Sequence, residues 1–242
     1  MLVTIEANYK FMNYLILAGL LLLSPVLQIS PSFAPSSSVT LMAQQTPNQL
    51  SFEDAIAETQ ALLEKMANKS ITDYEIQITI TNLVKTQNGA RGFFVTYLTD
   101  ERSFIDSPSK GIVKALQSSP NIVGELLVKN LVMSSATALA HRRNQDEEMT
   151  KGSEQVRDRT LYLIKAVKLP IVNEKLQEME KSLTTGQGQY QDFLERWGYD
   201  AEQKKVMKSA ILEVKHWAKK ILLFASQLFS HVLVIVTFTK NS

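Results

Sequence analysis

A chain of 242 residues that is 45% hydrophobic and 21% charged has enough apolar material to bury a full core, so disorder is not its expected state. The formal net charge of +2 provides no global field to draw nucleic acid or an anionic membrane, yet an acidic body (residues 44–200, 18 basic against 21 acidic side chains) carries a basic tail (residues 201–242, 7 against 2). The lack of cysteine excludes disulfides, thiolate catalysis, thiolate metal sites and the modified cysteine of a bacterial lipoprotein.

In chain order, Lys10 precedes an apolar block at residues 14–23, interrupted only by Gly19 and ended by Pro25. Charge followed by a short apolar run is the pattern of an export signal, and the block falls short of the roughly 20 residues a spanning helix needs. Two cleavage sites compete. "SFA", ending at Ala34, is followed by Pro35, which blocks cleavage; "LMA", ending at Ala43, lies in a Ser/Thr/Gln/Pro-rich linker and is favoured. Residues 1–43 are thus expected to be a signal peptide, or an N-terminal anchor, with its linker.

From residue 51 the punctuation is helical. Ser51, with Asp54 three residues later, reads as a capping box ahead of Phe52, Ile56, Leu62, Leu63 and Met66 at helical spacing. Over residues 76–99 two readings compete. Alternating Ile76, Ile78 and Ile80 with the Asn88-Gly89 turn signal suggest a β-hairpin, whereas Thr72 with Glu75 forms a capping box and Ile76, Ile80, Leu83 and Val84 fit a helix face. A lone hairpin is marginal between helices, so two helices broken at Asn88-Gly89 are predicted. Ser107-Pro108 and Ser119-Pro120 each read as a cap followed by proline at the first helical position. The second opens the predicted central buried helix, with Ile122, Leu126, Leu127, Leu131, Val132 and Leu139. Another helix begins near Pro170 and stops at Gly186. The fold class is therefore all-α: an irregular multi-helix bundle over residues 51–205, flanked by an apolar N-terminal signal-like helix and an apolar C-terminal helix.

Residues 206–242 form the third unit, a basic amphipathic helix running into an apolar segment. Lys204, Lys208, Lys215 and Lys219 drift along one face while Val206, Ile211, Leu212, Val214 and Trp217 populate others, a pattern that attracts acidic lipid headgroups. Residues 221–239 carry no formal charge and are bracketed by Lys220 and Lys240, long enough to cross a bilayer. Gln227, Ser226, Ser230 and His231 raise the cost of insertion. In an exported protein, Lys215, Lys219 and Lys220 would also oppose the positive-inside bias. Contact of residues 204–239 with a membrane surface is expected ahead of burial in the core, whether by spanning or by lying in the interface. Nucleic acid is not an expected partner, because the arginine and aromatic interleaving of a reader is missing.

Catalytic groups are scarce. His141, His216 and His231 are the only histidines. A di-iron bundle needs Glu-x-x-His pairs, and Ala138 stands three residues before His141. His141 beside Glu147 or Glu148 resembles a base with its orienting carboxylate, but "AHRRNQDEE" fits better as the cationic end of a long helix and a solvated turn. The glycine stretches "NGARG" and "TTGQGQY" lack the context of phosphate cradles and read as helix stops. Glu174, Glu178 and Asp192 are scattered face charges. Phe93, Phe94 and Tyr97, and Trp197 with Tyr199, are expected in the core, with an exposed partner pocket as the alternative. No catalytic, cofactor-binding or metal-binding residue is assigned and no cofactor is expected.

The phrases "ARGFFVTYLTD" (90–100), "LVKNLVMSSATALAHRRN" (127–144), "GSEQVRDRT" (152–160) and "FLERWGYDAEQ" (193–203) resemble an uncharacterised group of all-helical proteins from cyanobacteria over roughly residues 51–205. The resemblance implies an all-helical domain without an assigned activity, and a cyanobacterial setting in which export means periplasm or thylakoid lumen. The expected function is that of a non-catalytic helical accessory or interaction protein at an extracytoplasmic membrane surface. The alternative is a small hydrolase or ligand-binding enzyme using His141 with a nearby carboxylate.

Overall fold

A computed structural model describes the backbone of residues 50–239 and the side chains of residues 50–220. The signal-like segment at 1–43, with its cleavage sites, lies outside the described residues. Within them the protein is all-helical and without strands, with nine α-helices: α1 (Phe52–Ala67), α2 (Asp73–Leu83), α3 (Gln87–Thr99), α4 (Lys110–Gln117), α5 (Pro120–Arg143), α6 (Glu147–Val167), α7 (Pro170–Thr185), α8 (Gln191–Trp197) and α9 (Ala201–Thr239). A 3-10 turn, Ser103–Asp106, joins α3 to α4.

The caps set most of these boundaries. Ser51 accepts the Asp54 amide at 3.0 Å and donates its hydroxyl to the Asp54 carboxylate at 2.7 Å, anchoring the start of α1. Thr72 and Glu75 form the full reciprocal box on α2: Glu75 N–H donates to Thr72 Oγ1 at 3.3 Å and Thr72 N–H to Glu75 Oε2 at 2.8 Å. α7 starts at Pro170 and ends on Gly186 at φ 72°, in the left-handed region that glycine enters without a Cβ clash.

Residues 76–99 are two helices rather than a hairpin, but the break falls at Val84–Thr86, not at Asn88-Gly89. Thr86 Oγ1 takes the Gly89 amide at 3.1 Å, so "NGARG" opens α3 instead of stopping a helix. A Cβ on Gly89 would stand 2.1 Å from the Leu83 carbonyl oxygen; the glycine is there to let two helix ends meet. Ser107-Pro108 likewise does not open α4. Ser109 does, accepting the Ile112 amide at 3.3 Å, and the Ser-Pro pair leads out of the 3-10 turn. At α5, Ser119 occupies the cap position and Pro120 the first helical one, with no side-chain cap bond from Ser119.

α5 is the axis of the bundle, packed against α6, α7 and α9 with α3 and α4 also touching it. It is the described helix long and apolar enough to cross a membrane, and 72% of its apolar window is buried within the bundle, as befits a core helix. α1 crosses α3, and α2 lies on α4. Gly92 permits the first crossing: a Cβ there would lie 2.5 Å from Ala55 Cβ and 2.9 Å from the Phe52 carbonyl oxygen. Phe93, Phe94 and Tyr97 are fully buried, with Phe93 stacked on Tyr97 at 5.1 Å and edge-on to Phe94 at 5.3 Å. Trp197 and Tyr199 are half-buried against the same core.

α9 is a single helix of 39 residues, about 58 Å long at 1.5 Å per residue. Its early turns bury Met207, Ala210, Ile211 and Val214 in the common core. The division between residues 205 and 206 therefore falls inside one helix whose first half belongs to the bundle.

Candidate functional site

His141 sits two residues before the C-terminus of α5, buried, and its Nε2 has no hydrogen-bond partner. Burial pushes its pKa down and the charge of Asp146 offsets this only in part, so the imidazole is neutral near pH 7. The helix ends as its polar residues dictate. Asn144 caps it, Gln145 turns at φ 59°, Arg142 pairs with Glu154 on α6, and Arg143 reaches Asp200 and Glu202 at the start of α9. The Arg143 guanidinium, aided by the Gln203 amide, holds the Asp200 carboxyl down to about 2. Two clefts lie close by: a groove of about 210 Å³ lined by Ser135, Ala138, Arg142, Glu154 and Ser209, and a more open one of about 470 Å³ beside α6. His141 lines neither. Among the described residues no three His, Asp or Glu side chains are placed to share a metal ion.

Two polar constellations that sequence reasoning did not single out are better built. In the first, Glu125 of α5 accepts from Lys129 at 2.8 Å, Lys175 of α7 at 2.7 Å and the hydroxyl of buried Tyr190 at 2.8 Å. Lys129 also lies 5.4 Å from the Phe193 ring centre and 5.7 Å from that of Tyr190. The carboxylate is 18% exposed, and burial alone would raise its pKa; the bonds from Lys129, Lys175 and Tyr190 outweigh that and hold it below the usual value of 4.5. A carboxylate depressed in the folded state adds stability above its unfolded pKa, and that stability is lost as pH falls through the lower, folded value. Glu125→Gln is accordingly expected to destabilise the bundle by about 2 kcal/mol at pH 7, leaving two half-buried ammoniums unanswered. The deficit should begin to shrink as pH falls below 4.5, where the unfolded carboxyl protonates, and close once pH is below the lower folded value, where the native carboxyl is neutral too; urea midpoints followed downward from pH 7 measure both.

The second constellation centres on Arg159 of α6, whose side chain is 4% exposed. Its Nε donates to Asp106 Oδ1 at 2.7 Å, and its Nη1 to the carbonyl oxygens of Leu98 at 2.9 Å and Asp100 at 2.5 Å. The guanidinium thus closes the C-terminal end of α3, whose last carbonyls have no partner within the helix. Tyr97 supports the same corner by donating its hydroxyl to the Ile105 carbonyl at 3.1 Å. Arg102 ties Asp100 to Glu64 of α1. Nη2 of Arg159 is buried and has no partner. Arg159 forms one wall of the larger cleft, with Asp106, Lys151, Gln155, Asp158 and the half-exposed ring of Tyr162. The sequence did hold a trace of this: Val156, Arg159, Thr160, Leu163 and Val167 share one buried stripe of α6, and an arginine on an apolar stripe must find buried partners.

The basic face of α9 is partly committed to the bundle. Lys215 pairs with Glu180 of α7, and Lys165 of α6 lies 6.0 Å from the Trp217 ring centre. Lys204 and Lys208 are half-buried; Lys205, Lys219 and Lys220 are exposed. Glu174 and Asp192 are exposed and Glu178 is half-buried, on α7 and α8.

The chain belongs to the family described as uncharacterised conserved protein UCP020893, whose model matches residues 51–214. The match ends at Val214, the last buried residue of α9 among those described. No curated protein and no solved structure matches the chain.

Proposed function

We propose that the protein is a non-catalytic helical accessory protein held at an extracytoplasmic membrane surface through residues 204–239. One observation carries the reading: α9 runs without a break from the core, through exposed Lys219 and Lys220, into 19 uncharged residues. That segment is about 28 Å long as a helix, close to the roughly 30 Å of a bilayer's hydrocarbon. A rigid joint of this kind fixes the bundle's height over the lipid, and the lysines at the joint suit anionic headgroups. The leader-like pattern at 1–43 supports export, which in a cyanobacterial setting would mean the periplasm or thylakoid lumen. The alternative, a small hydrolase or ligand-binding enzyme using His141 with a nearby carboxylate, is the less favoured reading, since His141 is buried and lines neither of the two clefts.

Fractionation of cells carrying a tagged protein, with carbonate washing and N-terminal sequencing, tests this. The expected result is a membrane-bound protein processed near Ala43. A wholly soluble cytoplasmic pool with an intact N-terminus would overturn it.

A further inference from the structure

We propose that the cleft between α6 and the Ser103–Asp106 turn is a binding site for a small organic oxyanion whose ring or chain lies on Tyr162. The cleft, of about 470 Å³, has room for such a molecule. Its lining includes three carboxylates, groups that would favour a cation if they were free. Each carboxylate is already answered, however: Asp106 by Arg159, Asp158 by Arg157, and Glu154 by Arg142.

What remains open is donor capacity. Arg159 has five N–H groups, and Asp106 with the Leu98 and Asp100 carbonyls takes three of them, leaving both on Nη2 without an acceptor in a buried setting. An unanswered charged donor costs more than an unanswered neutral one, so an acceptor supplied there gains more than it would in water. Lys151, two helical turns earlier on the same stripe of α6, is exposed and makes no ion pair among the described residues. Gln155 lies between them, and Tyr162 presents a half-exposed aromatic face one turn further on. Ammonium, amide, guanidinium and aromatic ring follow one another along a single wall. A phosphate or carboxylate fits the first three and an apolar body the fourth.

Calorimetric titration of the full chain in non-ionic detergent tests the site with phenyl phosphate, inorganic phosphate, benzoate and benzylamine. Phenyl phosphate and benzoate are expected to bind, and inorganic phosphate about fivefold more weakly than phenyl phosphate for want of the ring. Lys151→Ala should weaken both oxyanions about tenfold, and Tyr162→Ala should remove the advantage of phenyl phosphate over inorganic phosphate. Both side chains are exposed, so circular dichroism of the two variants should match the parent. Binding of benzylamine in preference to the anions, no binding of any anion at 10 mM, or anion binding indifferent to Lys151→Ala would each overturn the proposal. None of these outcomes depends on the membrane reading.

Discussion

A chain ended after Lys205 is expected to lose its cooperative fold, whereas one ended after Lys220 keeps it. The difference is the set of α9 side chains that enter the common core. Met207 and Ile211 are fully buried, Val214 nearly so, and Ala210 packs beside them. Removing three large side chains from water is worth roughly 1.5–3 kcal/mol each, or about 5–9 kcal/mol together, and the shorter chain would also expose the α5 and α7 surfaces they cover. Domains of this size are stable by only about 5–15 kcal/mol, so the loss consumes most of the total. The chain ended at Lys220 keeps all four residues and the Lys215–Glu180 pair while giving up the 221–239 segment. Urea unfolding followed by far-ultraviolet circular dichroism, because Trp217 remains only in the longer chain, should show a sigmoidal transition for the longer chain and none for the shorter. A sigmoidal transition of equal midpoint in both would mean that α9 is an appendage and not part of the core.

That contrast also shows why the edge of the bundle was hard to read. Val206, Ile211 and Val214 among lysines make an amphipathic helix, and the pattern is the same whether its apolar stripe meets lipid or protein. The chain does not state what lies opposite. Where chemistry is local, reading it works: Thr72 with Glu75, Pro170 with Gly186, and Pro120 after Ser119 mark true helix boundaries because each acts on its own neighbours. Asn88-Gly89 misplaces a break because the same small residue that permits a turn also permits close approach, here to the Leu83 carbonyl. Glu125 and Lys129 are visible as a pair four residues apart, but Lys175 and Tyr190 join them from 50 and 65 residues away. Arg159 is further still from legibility, since its acceptors at Leu98, Asp100 and Asp106 lie 53 to 61 residues off and two of them are backbone oxygens of no particular residue type. His141, the residue a search for catalytic types picks out first, has a local explanation at the helix end, and it lines neither cleft.

Arg159→Leu is expected to cost about 3 kcal/mol, one of the largest effects of any single polar side chain in this bundle. Two mechanisms contribute and they can be separated. The ion pair with Asp106 is lopsided, because the arginine is 4% exposed and the aspartate 55%, so water screens the carboxylate and the pair itself is worth under about 1 kcal/mol. The larger share comes from the Leu98 and Asp100 carbonyls, which end α3 without intrahelical partners and would be left in a buried corner with no donor. Asp106→Asn should therefore cost well under half of what Arg159→Leu costs. Arg159→Lys should recover little of the loss, because one ammonium on a flexible stem cannot reproduce a planar fork serving a carboxylate and two carbonyls at once. The order Leu ≈ Lys at 159, both well below Asn at 106, measured as urea midpoints, is the signature of backbone capping. If Asp106→Asn matches Arg159→Leu instead, the charge pair is the stabilising element and the two carbonyls find other donors or water.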